Sequence, residues 1–181
     1  MKQAEMKKLA RGIQRCRRCE RWQTRQHAVP GAGDVDAKIV LCGEAPGKKE
    51  DAKGEPFIGR AGAYLDKVMS KNDVHRQDFY ITSILKCYHP ESPKKPQIKT
   101  CYEWTEKQLG VIQPKMILVM GKSAAQGFLG VERLGIAPVH KEWRGIPCIV
   151  TCHPAAAMRF PERDEQFRRD FRTMLKSRAL K

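Results

Sequence analysis

Two pairs of cysteines and two Gly/Pro-framed turns hold the side chains in this sequence best able to do chemistry. Cys16 and Cys19 form a C-x2-C pair beside Arg15, Arg17 and Arg18, while Cys87 and Cys101 flank a loop stiffened by Pro90, Pro93 and Pro96. A single turn of chain points both sulfurs of a C-x2-C pair the same way, so these four thiolates suit either a structural zinc or a [4Fe–4S] cluster. Zinc ribbons usually offer two tight knuckles and only one is tight here, which leaves both groups open. The cysteine count of seven is odd, and no export signal is expected for a chain with this basic, amphipathic start. Reduced thiols or metal ligands therefore fit better than a disulfide framework. Cys42 and Cys148 sit in apolar runs and read as small core residues.

The densest signal runs from Leu41 to Leu65. An apolar run enters Gly43-Glu44-Ala45-Pro46-Gly47, followed by Glu50-Asp51 and then Gly54-Glu55-Pro56-Phe57-Ile58-Gly59-Arg60-Ala61-Gly62. Glycines let backbone amides approach a ligand, and Phe57 on such a loop offers a flat stacking face. Late in the chain, Thr151-Cys152-His153-Pro154 sets a histidine just past an apolar run, with Arg159 after it. Other matches fail. Gly121-Lys122-Ser123 lacks the first glycine of a phosphate-binding P-loop, because Met116 stands there. Cys148 and Cys152 are one residue too far apart for a zinc deaminase and have no His-x-Glu before them. Gly31-Ala32-Gly33 has no third glycine for a dinucleotide fingerprint.

These turns need a frame. The 181 residues fit one domain, with 41% hydrophobic and 30% charged residues, as in an ordinary globule. Nothing approaches the ~18 apolar residues of a membrane span. Met6, Leu9, Ile13 and Cys16 recur at helical spacing. Ile39–Cys42, Phe79–Leu85, Met116–Met120 and Ile146–Thr151 read as short buried strands. Helices are expected around Ala61–Met69, over Ile98–Ile112, over Ser123–Leu129 and through Phe167, Phe171, Met174 and Leu175. Pro30–Asp34 and the polar stretch after Gly47 read as loops. Alternating strands and helices imply a parallel sheet covered on both faces, with its strand C-termini on one edge. That edge gathers Gly43–Gly47, Ser83–Cys87, Gly121–Ser123 and Cys152–Pro154, and ligands of such folds bind there.

Charge points to the partner. Thirty-five Lys+Arg against 20 Asp+Glu leave a net +15, and nine basic residues face two acidic ones between Met1 and Arg25. Such an excess favours a polyanion, nucleic acid first.

The set Gly43-Glu44-Ala45-Pro46-Gly47, Glu50-Asp51, Pro56–Gly62, Lys86-Cys87 and His153-Pro154-Ala155 resembles the family 4 uracil-DNA glycosylases. The resemblance implies a three-layer α/β/α sandwich around a four-stranded parallel sheet. It also implies a single glycosylase domain over residues 1–181, with an N-terminal helix that ligates a [4Fe–4S] cluster through Cys16, Cys19, Cys87 and Cys101. The implied activity is monofunctional hydrolysis of the N-glycosidic bond of a deaminated base flipped from DNA, in base-excision repair. Glu44 and His153 would be catalytic, and Gly43, Glu44, Ala45, Pro46, Gly47, Phe57, Ser83 and His153 would bind the base. Met158 and Arg159 would enter the duplex and touch phosphate.

The family pattern carries an asparagine where this chain has Ser83. A hydroxyl is shorter and has one hydrogen, so it cannot make the paired contact of an amide with uracil. Hypoxanthine and xanthine are therefore alternative substrates, and a non-catalytic iron–sulfur nucleic-acid-binding protein is the alternative class. The chain is expected to be a cytoplasmic, nucleoid-associated monomer acting on DNA, away from membranes.

Overall fold

The computed structural model describes residues 1–131, 133–137 and 139–177. Its strands are β1 (Ala32–Gly33), β2 (Ile39–Gly43), β3 (Phe79–Ser83), β4 (Met116–Met120), β5 (Val139–Trp143) and β6 (Ile146–Thr151). They form one sheet in the order β1-β3-β2-β4-β6-β5. The four expected strands, β3, β2, β4 and β6, are parallel to one another. The expected strand count is corrected from four to six by two antiparallel edge strands, β1 on β3 and β5 on β6. β1 is only two residues long and exposed, and β5 exposes His140, Lys141 and Glu142. Neither carries the continuous apolar run of a strand buried on both faces.

Residues alternate across the sheet and sort into two cores, as the period of two requires. Val40, Cys42, Ile117, Val119 and Val150 face one layer, formed by α1 (Lys2–Gln14), α4 (Lys95–Ile112) and α5 (Lys122–Leu129). Ile39, Leu41, Leu118 and Ile149 face the other, formed by α3 (Arg60–Ser70) and α7 (Pro161–Leu175). The three-layer sandwich follows from that sorting. Phe167 and Phe171 lie four apart on α7 and are fully buried, each contributing about 1.5–3 kcal/mol by leaving water. Among the described residues, no helix is long and apolar enough to cross a membrane.

Several element boundaries differ from the sequence reading. The polar stretch after Gly47 forms a short helix, α2 (Lys48–Lys53), ended by Gly54 in the left-handed conformation. Pro96 stands in the first turn of α4, where a missing amide hydrogen breaks no helical bond. α1 ends at Gln14, so Cys16 follows the helix instead of sharing its apolar face. β3 ends at Ser83, but the amides of Ile84 and Leu85 still donate to the carbonyls of Gly43 and Glu44. The expected strand tail is thus irregular chain bonded to the end of β2 and the turn after it. β2 lies between β3 and β4, which makes its C-terminal end the point where the strand order changes direction.

Candidate active site

At that switch point a cavity of ≈ 360 Å³ opens, lined by Val29, Ala45–Glu50, Pro56, Phe57, Gly59–Ala61, Ser83, His153 and Ala155. Its size falls within the usual range for small-ligand sites. A larger depression of ≈ 730 Å³, bordered by Met116, His140, Pro147 and Thr173, lies away from these strand ends.

Phe57 and His153 form one wall. Their rings stack with centroids 5.9 Å apart and planes 27° apart. Phe57 has a φ of 52°, a left-handed conformation that costs a non-glycine residue about 1–3 kcal/mol. Neighbouring elements hold it there. Arg76 donates to the carbonyls of Pro56 and Phe57 and is itself paired with Asp66. Two glycines make room: a Cβ on Gly43 would stand 2.4 Å from the Phe57 ring, and one on Gly62 would stand 1.7 Å from the Phe57 carbonyl oxygen.

His153 caps α6 (Pro154–Ala157), and its Nδ1 accepts the Ala155 amide at 3.1 Å. Burial lowers its pKa below the ordinary value, while Glu44 and Glu50 pull it back up. A neutral ring that accepts at Nδ1 must carry its hydrogen on Nε2. The imidazole is therefore set up as a donor.

Glu50 is buried, and its Oε1 accepts the Gly59 amide at 2.7 Å. Its other oxygen lies beside Gly47, 2.6 Å from where a Cβ would stand. The neighbouring Asp51 has different partners. Its carboxylate accepts the amides of Gln26 and His27 and ties that segment to α2.

Ser83 stands opposite Gly43 in the β2–β3 register. Its carbonyl accepts Lys86 Nζ at 2.7 Å and Thr105 Oγ1 at 3.3 Å. Lys86 is almost wholly buried and also donates to Thr82 Oγ1 and Gln108 Oε1. Burial pushes its pKa down to about 8, against the pull of nearby cysteines.

Of the residues named from sequence, Ala45, Pro46, Gly47, Phe57, Ser83 and His153 line the cavity. Gly43 and Glu44 do not line it, although Glu44 is near enough to act electrostatically on His153. Met158 and Arg159 border an adjoining cavity of ≈ 120 Å³ with Arg60, Ala61 and Ala155. Sequence reasoning gave no site role to Glu50, Arg60 or Lys86. A carboxylate framed by Gly47 and Gly59 was the signal for the first, and a lysine directly before Cys87 for the last.

Cys16, Cys19, Cys87 and Cys101 line one small cavity with Arg18, Trp22, Arg25, Lys86 and Trp104. All four are free thiols. Donors crowd them: Trp104 Nε1 reaches Cys16 Sγ at 3.3 Å and Arg25 reaches Cys87 Sγ at 2.9 Å. Burial alone would raise the Cys16 pKa, but hydrogen bonds from Arg18 and Trp104 bring it below the ordinary thiol value. Arg21 is buried and donates to the Cys87 carbonyl. Among the described residues, no three His, Cys, Asp or Glu side chains are arranged around one metal ion. A four-iron cluster asks less, because each thiolate takes its own iron, and the surrounding donors suit bound thiolates.

Residues 30–176 match the Uracil DNA glycosylase superfamily. A type-4 uracil-DNA glycosylase of Archaeoglobus fulgidus is 34% identical, over 91% of this chain and 88% of that protein. One from Thermotoga maritima is 31% identical, over 87% and 84%. A type-5 uracil-DNA glycosylase of Thermus thermophilus is 30% identical over a shorter span, 56% and 53%. With long matches to type-4 enzymes and a strand-end cavity where the fold puts its ligands, the chain belongs to the uracil DNA glycosylase superfamily, on its type-4 branch.

Proposed function

We propose that this chain, read as one domain over residues 1–181, is a monofunctional DNA glycosylase of base-excision repair. It hydrolyses the N-glycosidic bond of a deaminated base held outside the helix, uracil foremost. The observation that carries the reading is the convergence of Phe57, His153, Glu50 and Ser83 on one cavity at the sheet's switch point. The names of the type-4 relatives support uracil as the base.

The chemistry follows from the site. Extruding a nucleotide costs a few kcal/mol of unstacking, which a snug pocket must offset. Phe57 offers the base its ring, and the Ala45–Gly47 turn offers backbone groups to the base edge. As the bond breaks, negative charge gathers on the departing base and positive charge on the sugar. The His153 Nε2–H is the donor for the base oxygen. Glu50, with one carboxylate oxygen already bonded to Gly59, keeps the other for an attacking water, and Glu44 adds a second negative charge beside the sugar.

Cys16, Cys19, Cys87 and Cys101 would hold a [4Fe–4S] cluster. Bound there, it would serve as a structural tie, since hydrolysis moves no electrons. Arg18 and Arg25 already brace that junction, Arg18 onto Glu103 and Thr100 and Arg25 onto Gln14. The net charge of +15 favours DNA as the partner.

The deciding experiment incubates the protein with oligonucleotides bearing uracil, hypoxanthine or xanthine, followed by alkali. Strand breaks at uracil are expected, and breaks mainly at the purines would move the specificity. Binding to every oligonucleotide without a break at any would establish the non-catalytic alternative.

A further inference from the structure

Only a few large apolar side chains stand exposed among the described residues, and two of them, Met158 at 39% and Phe160 at 51%, sit on the corner between α6 and α7. Phe160 holds the N-cap position of α7. Ser, Thr, Asp and Asn are preferred there because they accept a hydrogen bond from the first helical amides. Phe160 supplies no such bond and leaves its ring in water. Neither helix stability nor core packing accounts for it.

Its backbone, in contrast, is firmly mounted. The Phe160 amide donates to the Ala156 carbonyl at 3.1 Å, and its carbonyl accepts the amides of Arg163 and Asp164, each at 3.0 Å. Arg163 in turn holds the Gly135 carbonyl at 2.9 Å, and Asp164 accepts from Tyr64 and Arg168. The ring is thus presented from a rigid corner. Beside it, Met158 shares the smaller cavity with Arg60 and Arg159, and Lys48 and Lys49 line the site cavity next to that one. Apolar groups amid four cations match the two chemistries of a nucleic-acid duplex, stacked bases inside and phosphates outside.

We infer that Phe160 is a second wedge, entering duplex DNA alongside Met158 and stacking on a base next to the vacated position. The inference rests on the glycosylase reading and adds to it the preferred form of substrate, double-stranded over single-stranded. A single strand leaves no gap in a paired helix to be filled, so the wedge gains less on it.

The test is Phe160→Ser, a change that supplies the missing cap and so preserves or raises the melting temperature. Excision of uracil from duplex DNA should fall about tenfold in kcat/KM, the scale of one lost base–aromatic stack, with single-strand excision falling less. An unchanged ratio between the two substrates, whether both rates hold or both fall together, overturns the wedge. Failure of the glycosylase reading would look different, with no excision by the unaltered protein from either form. A second measurement needs no bond cleavage: binding of a duplex carrying a tetrahydrofuran abasic analogue. The unaltered protein should hold that duplex about tenfold tighter than the variant, and equal affinities overturn the inference.

Discussion

Phe57 and His153 stack ring over ring, 5.9 Å between centroids, although one leaves the loop before α3 and the other the end of β6. The ring that would hold a base and the ring that would donate to the base oxygen are therefore packed against each other. Movement of the first displaces the second.

His153→Ala should lower the single-turnover rate about 10²–10³-fold, the usual effect of removing one charge-stabilising donor, while DNA binding changes little. Parallel losses of rate and binding would contradict the donor role. The pH profile gives an independent check. Burial holds the His153 pKa below its ordinary value, so kcat/KM should stay level as pH falls through about 6.5 and decline only further into acid. In Glu44→Gln that decline should begin at still lower pH, because a charge that raises the pKa is gone. The unfolded ring binds its proton more readily than the folded one, so stability should also drop as pH falls below about 6.5, measured as melting temperature against pH.

The two carboxylates can be separated. Glu50→Gln keeps an acceptor for the Gly59 amide but loses the charge beside the cavity, and should cost about 10²-fold in kcat. Glu44→Gln should cost less, since Glu44 does not line the cavity. The reverse order, read from single-turnover rates, would place the attacking water at the Gly43–Gly47 turn.

Ser83→Asn introduces an amide at the cavity wall opposite Gly43. Excision of uracil relative to hypoxanthine should rise about tenfold, the scale of one added paired hydrogen bond. An unaltered ratio in the lesion panel would show that specificity is set elsewhere on the wall.

Lys86→Met would leave acceptors on Gln108, Thr82 and Ser83 without their buried donor. Thr105 still reaches the Ser83 carbonyl and Thr82 keeps its bond to Pro30, so the loss expected in urea denaturation is that of about one unsatisfied group, about 1–3 kcal/mol. A loss under about 1 kcal/mol would mean that another donor reaches that group.

The protein purified without oxygen should carry about four iron atoms per chain and a brown absorption band. Cys101→Ser should lower the iron content and loosen the segment before Thr24, read as faster proteolysis there. One zinc and no iron would replace the cluster assignment.

The layers were legible because β2, β3, β4 and β6 are buried over most of their length and mainly apolar. β5 was not, because an edge strand that exposes Lys141 and Glu142 has a loop's composition. Within the site, Gly43–Gly47, Phe57 and His153 stood out by residue type. Glu50 did not. Its place depends on a six-residue helix turning it back toward Gly59, and no local spacing encodes that closure. Arg76 was hidden for the same reason, since its grip on the Phe57 loop exists only once the turn before β3 and the start of α3 have met in space.

The sheet's flanks bear on behaviour at high concentration. One side ends in a strand of two residues and the other in a strand studded with charge. Neither offers a docking ladder long and greasy enough for another chain to extend. The edges of the sheet therefore give a second copy no template for strand addition.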